Sequence, residues 1–310
     1  MATVAEVDET EWTGEFAPWD GRRVPVTLLG GYLGAGKTTV LNELLLATDR
    51  PIAVLVNDVG AVNIDAALVK RRHGDTIELT DGCVCCSLTQ GLADAFAGIR
   101  SREAPPDQVL IELSGVADPR RVLPWADSTG FALDAVVVLV DVDQYAAWDD
   151  DEVIGPTVRT QVGAADLVVL TKTDLVDAAR KQEVTSRVQT LYPDVQLADP
   201  GGPDAAAALL RLGGRRPGGV ADVPAPTLFD PHQTERRPIP DPIDRAGVEA
   251  MLDQLPTSTV RAKGVARTPN GGALLIQLVG RRRSVTPLPP AESQPPTDLV
   301  VITAPGPSRS

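Results

Sequence analysis

The stretch that decides the fold is VPVTLLGGYLGAGKTTVLNELLLAT, residues 24–48. Its first seven residues form a nearly unbroken apolar run, as a strand buried on both faces requires. Gly31, Gly36, Lys37 and Thr38 then satisfy G-x-x-x-x-G-K-[ST], and 38–48 continues as a helical pattern. Strand, glycine-rich turn and helix in that order make a cradle for phosphate. Glycines at 31, 34 and 36 let the amides of Gly34, Ala35, Gly36, Lys37 and Thr38, with Thr39 beside them, curl around an anion. The helix start adds the positive end of its dipole. Lys37 is a point charge for the outer phosphates, and the Thr38 hydroxyl is a ligand for Mg²⁺.

Working outward, four more apolar runs follow: IAVLVN (52–57), QVLIEL (108–113), AVVVLVD (135–141) and DLVVLT (166–171). Helical stretches such as LTQGLADAFAGIR (88–100) lie between them. This alternation predicts an α/β domain over 24–199, a doubly wound, mostly parallel sheet of the phosphate-loop type. Residues 1–23 read as an acidic arm carrying Trp12 and Trp19. Residues 200–245 are rich in proline and paired glycines and read as a linker. A second, smaller α+β domain is expected over 246–303, with a helix at 246–256 and strands at 259–267, 273–280 and 298–303. PNGG (269–272) reads as a tight turn between the first two strands, and 304–310 as a tail.

Mg²⁺ needs a carboxylate at the end of a neighbouring strand, and Glu112 stands there, with Gly115 free to let the next segment move. TKTD (171–174) closes another strand, and Thr171, Lys172 and Asp174 fit the [NT]-K-x-D element of guanine readers. A carboxylate at Asp174 accepts from the imino and amino groups of guanine, whereas adenine would leave it unpaired. The chain's three cysteines sit within DGCVCCSL (81–88) as Cys83, Cys85 and Cys86. Three sulfurs suit Zn²⁺ and leave one tetrahedral position for another ligand. Asp58, in the loop after the second strand, is a candidate for positioning water or for linkage to the metal. Simpler readings go to the remaining features. The acidic positions of 141–152 read as a solvated loop, Arg281–Arg283 as an exposed strand end, Trp125 and Trp148 as packing residues, and His73 and His232 as surface residues.

Composition narrows the class. The 310 residues carry a net charge of −13 and are 43% hydrophobic, which supports a sizeable core and disfavours nucleic acid and anionic membranes as partners. No apolar run nears the roughly 18 residues a bilayer span needs. The N-terminus has no secretion pattern, and three clustered thiols are no disulfide framework, so a reducing cytoplasm is expected.

Taken together, GGYLGAGKTTVLNELL, NDVGAVNID (57–65), DGCVCCSL, ELSGVADP (112–119), TKTDLV and VRAKGVAR resemble the CobW-type GTPases, a family of metallochaperones, over residues 24–280. The resemblance implies a SIMIBI-class phosphate-loop domain, a CobW-like C-terminal domain, GTP hydrolysis with Mg²⁺, and handling of Zn²⁺ or Co²⁺. It further implies that Cys83, Cys85 and Cys86 hold the cargo metal near the nucleotide, with Asp58 standing where the family usually has glutamate. The expected partners are GTP and GDP, a transition metal and a client metalloprotein; a homodimer stays open. Leu113 replaces a usual threonine, Asp81 a usual asparagine, and no histidine-rich tract is present. Two other readings of the same residues are a metal-buffering module with little turnover and an ATP-dependent phosphate-loop kinase.

Overall fold

Successive valine, isoleucine and leucine residues commit a segment to burial on both faces. In the computed structural model, which describes residues 21–48, 50–56, 76–78, 87–199, 232–280, 282–288 and 298–304, all five runs are strands of one sheet. The sheet contains β1 (Val24–Gly31), β2 (Ile52–Val56), β3 (Thr76–Glu78), β4 (Gln108–Glu112), β5 (Phe131–Asp141), β6 (Leu167–Thr171) and β7 (Gln196–Ala198). Its order is β3-β2-β4-β1-β5-β6-β7, and each pairing is parallel.

Helices cover both faces. On one face α1 (Lys37–Ala47) buries Val40, Leu41 and Leu44 against Leu29, Val54, Leu110 and Val137. On the other, α2 (Ser87–Arg100), α3 (Leu123–Ala126), α4 (Tyr145–Asp149), α5 (Gly155–Gly163) and α6 (Ala178–Leu191) cover Val26, Leu28, Ile111 and Val138. Each fully buried Val or Leu contributes about 1.5–3 kcal/mol, so this two-sided core outweighs any single site residue. The strand order turns around β1, whose neighbours are β4 and β5. In open sheets of this kind ligands sit beyond the carboxyl ends of the strands at such a point.

The second sheet is antiparallel. It joins β8 (Gln233–Arg237), β9 (Thr259–Arg267), β10 (Ala273–Val279), β11 (Arg282–Leu288) and β12 (Leu299–Thr303) in the order β11-β10-β9-β12-β8. The helix α7 (Arg245–Asp253) lays Val248 and Leu252 on its Ala262, Ile276 and Leu299 face. The 269–272 turn forms, with Thr268 N donating to Gly272 O at 2.8 Å and Gly271 at φ 81°.

Two elements depart from the sequence reading. β8 lies inside 200–245, the interval read as linker, and β11 runs where an exposed strand end was expected. Both are edge strands. QTERR has no apolar alternation, and RRSVTPL contains Pro287, which an edge tolerates because one side of the strand needs no ladder donor.

Candidate functional site

The glycine-rich turn leaves β1 through backbone that L side chains rarely adopt: φ is 130° at Gly31, 76° at Gly34 and 91° at Gly36. Ala35 N closes the turn on Tyr32 O at 3.1 Å. α1 starts at Lys37 with Gly36 as its cap, no side-chain cap bond and no acid in its first turn. Its first amides therefore have no side-chain cap from the helix itself.

Lys37 is 6% exposed, and its Nζ donates to Gly31 O at 2.8 Å. Thr38 Oγ1 donates to Glu112 Oε1 at 3.0 Å, joining the helix start to the end of β4. Glu112 is 5% exposed and its second oxygen, Oε2, has no hydrogen-bond partner among the described residues; neither has the buried hydroxyl of Ser114, two residues on. Burial raises the Glu112 pKa, while Lys37, the Thr38 hydrogen bond and Arg261 pull it down. An orphaned, desolvated carboxylate oxygen beside a threonine hydroxyl is a hard-oxygen donor set, and it fits Mg²⁺.

Thr171 ends β6 with its hydroxyl 2.9 Å from Ala35 O and 3.2 Å from Val140 O, tying this strand to the phosphate loop. Lys172 takes a left-handed conformation, φ 57°, and its Nζ pairs with Asp141. Asp174 opens outward from the short 3₁₀ turn Thr173–Leu175 and is exposed. The structure thus places Gly31, Gly34, Ala35, Gly36, Lys37, Thr38, Thr39, Glu112, Thr171, Lys172 and Asp174 at or just beyond the carboxyl ends of β1, β4 and β6. Asp58, Cys83, Cys85, Cys86, His73 and Arg281 lie outside the described residues. Among the described residues no group of three or more His, Cys, Asp or Glu side chains is placed to hold a metal.

The acidic stretch is only in part the solvated loop expected from sequence: Asp150, Asp151 and Glu152 are exposed, and two other acids are not. Asp141 and Asp149 are each 1% exposed; Asp141 pairs with Lys172, and Asp149 with Arg159 and Arg187. Basic residues further along the chain, Lys172 for Asp141 and Arg159 and Arg187 for Asp149, supply the partners, so the acidic stretch read by itself does not reveal the burial. Trp148 is a packing residue, edge-on to Tyr32 with ring centroids 4.9 Å apart, and Trp125 packs against the same core. His232 is half-buried, with Nε2 2.7 Å from Tyr32 Oη.

A cavity of roughly 520 Å³ opens in front of the loop. Residues around Lys37, Glu112 and Ser114 form one wall; Arg261, Lys263, Gln277, Arg282 and Arg283 are among those forming the other. The sequence reading missed Arg261, Lys263 and Ser114, and it left Arg282 and Arg283 as an exposed strand end. The alternation in VRAKG marks Arg261 and Lys263 as one face of a strand, and nothing local shows what that face meets.

Residues 25–198 match the family described as CobW/HypB/UreG, nucleotide-binding domain, and residues 238–308 match the cobalamin synthesis protein cobW C-terminal domain. The chain is similar to a zinc chaperone CobW of Sinorhizobium sp., 33% identical over 312 residues covering 84% of this chain and 86% of that protein. It is also similar to the zinc chaperone YjiA of Escherichia coli K12, 36% identical over 182 residues, which cover 55% of this chain and 56% of that protein. Among solved structures it resembles the Zn(II)-bound YjiA GTPase from E. coli, at 23% identity and a TM-score of 0.46, over 91% of this chain and 95% of that one.

Proposed function

The chain belongs to the CobW/HypB/UreG family, and from that premise we propose that it is a GTP-hydrolysing metallochaperone, carrying zinc or cobalt on Cys83, Cys85 and Cys86 and delivering it as the nucleotide turns over. The observation that carries the nucleotide half is the Thr38–Glu112 bond with its orphaned Oε2, set between Lys37 and the cap-free start of α1. Polyphosphate and a hard cation are the ligands that such a pair accommodates.

In the proposed reaction, water adds to the γ-phosphorus, the bond to the bridging oxygen breaks, and GDP and inorganic phosphate leave with the proton released to phosphate or solvent. The loop amides from Gly31 to Thr39 hold the phosphates. Lys37 moves from the Gly31 carbonyl to the outer phosphate oxygens. Mg²⁺, held by Thr38 and Glu112, would neutralise charge on the β- and γ-oxygens. Thr171, Lys172 and Asp174 form the guanine reader, and Asp58 is assigned to water positioning or to the metal. Leu113 is buried in the core and offers no hydroxyl beside Glu112, which favours slow turnover.

The metal half rests on the cysteine cluster and on relatives named zinc chaperones. A cytoplasmic setting and a client metalloprotein belong to the same reading. The test is phosphate release from GTP and from ATP, with and without zinc, alongside metal analysis of the wild type and of the Cys83/Cys85/Cys86→Ser variant. Hydrolysis of GTP and a zinc loss confined to the triple variant are expected. Equal use of ATP overturns the guanine assignment, and zinc retained by the triple variant overturns the metal assignment.

A further inference from the structure

The two walls of the cavity come from different parts of the chain. Strand register shows which side chains of the C-terminal sheet face the loop. Arg261 is opposite Val279, and Lys263 opposite Gln277; on the next strand Val279 is opposite Arg282, and Gln277 opposite Ser284. Residues paired across strands share a face, so these six form one surface. The reverse face carries Ala262, Ile276 and Leu278 beneath α7.

An antiparallel sheet covered by a helix on one face commonly gives the other to water. Here that face closes on the phosphate loop. A Cβ at Gly34 would stand 2.2 Å from Val279 Cγ1, so this approach requires glycine. Lys263 is 6% exposed. Arg261 lies near enough to Glu112 for its charge to act on that carboxyl. The cavity lining includes Lys37, Lys172, Arg261, Lys263 and Arg282, with Arg283 at its border on the α7 side opposite Leu278, and Glu112 is the one acid among the described residues lining it. Lys172, Arg282 and Arg283 are ion-paired to Asp141, Asp143 and Asp253, outside the lining. On a chain of net charge −13, this concentration of cations at the mouth of a phosphate loop marks a site for polyphosphate.

We propose that Arg261 and Lys263 form the second half of the phosphate site and contact the terminal phosphate of bound GTP, so that the C-terminal sheet distinguishes GTP from GDP. This inference rests on reading the loop as a GTP site. A contact made only to the third phosphate adds affinity for the triphosphate and none for the diphosphate.

The experiment titrates GDP and a slowly hydrolysed GTP analogue against wild type, Arg261→Ala, Arg261→Lys and Lys263→Met. Arg261→Ala is expected to weaken analogue binding roughly 10- to 100-fold, the size of a lost charged hydrogen bond, with GDP binding within about twofold of wild type. Arg261→Lys should restore part of the loss, because it keeps the charge without the fork. Unaltered preference for the analogue in both Arg261→Ala and Lys263→Met overturns the proposal. A readout independent of any substitution is amide exchange in the wild type. β9 and β11 should exchange more slowly with the analogue than with GDP, and identical exchange overturns the proposal equally. Failure of the underlying reading looks different: wild type would then bind neither guanine nucleotide.

Discussion

The two sheets face the same cavity with different parts of themselves. The parallel sheet meets it with strand ends: a backbone turn, the first amides of α1, and Thr38 and Glu112 gathered where β1 and β4 stop. The antiparallel sheet meets it with a face, where Arg261, Lys263 and Arg282 project from strands paired over their whole length. The difference separates two kinds of recognition. Amides at a strand end come with the fold, and substitution barely alters them. Charges on a face are side chains, replaceable one at a time on a ladder that persists. The loop should therefore govern whether nucleotide binds, and the face which nucleotide is preferred.

The largest effect expected from breaking the loop side is that of Lys37→Ala. It should weaken GTP and GDP together, roughly 100-fold for the charge removed, while the circular-dichroism spectrum stays native. A fluorescent-nucleotide titration checks this, and affinity kept within threefold would undo the loop's primacy. Asp174→Asn comes next. An amide can donate to the xanthine oxygen where a carboxylate only accepts, so GTP should weaken roughly 10- to 100-fold and xanthosine triphosphate should gain in direct competition.

Smaller, and aimed at the seam between the sheets, is Gly34→Ala. The new methyl meets Val279 at a positive φ, for a cost of about 1–3 kcal/mol in stability. Adding Val279→Ala should recover the steric share and leave the backbone share, a coupling that denaturant unfolding of the double-mutant cycle measures. Strict additivity would show that the two sheets do not meet there in solution. The smallest effect is Glu112→Gln. Burial raises the carboxyl's pKa, so the folded state binds that proton more tightly than the unfolded state does. Stability from this group is then full below the unfolded value and declines as pH rises towards and through the raised one. Above that window, without Mg²⁺, Glu112→Gln should melt a few degrees higher, the change that about 1 kcal/mol makes in a large domain. Mg²⁺-dependent nucleotide binding should fall at the same time. A lower melting point throughout that range would mean that the buried charge is satisfied in the free protein.

Legibility in the sequence follows the same division. The parallel strands announce themselves because burial on both faces leaves apolar runs, and the loop because its glycines, lysine and threonine are adjacent in sequence. Thr171, Lys172 and Asp174 are legible for the same reason. The edge strands β8 and β11 are not, because they have one neighbour each and can be polar. Arg261 and Lys263 alternate correctly for a strand, yet their surroundings depend on docking against a loop more than 200 residues earlier. Asp141 read as solvated because its partners, Lys172 and, at 3.9 Å, Arg282, are distant in sequence.

The Thr171 hydroxyl has a consequence for the cost of binding. It ties the strand that ends in the proposed base reader to the Ala35 carbonyl of the glycine-rich loop, across 136 positions of chain. A nucleotide that engages both ends would otherwise have to immobilise them relative to each other, at its own entropic expense. The tether does this during folding, so the spacing between the two recognition elements is set before the ligand arrives. On the proposed reading, the site would favour molecules whose base and phosphates are that distance apart. Thr171→Val would keep the shape and remove the tether; guanine-nucleotide affinity should then fall, and an unchanged affinity in a fluorescent-nucleotide titration would show that the tether contributes nothing to binding.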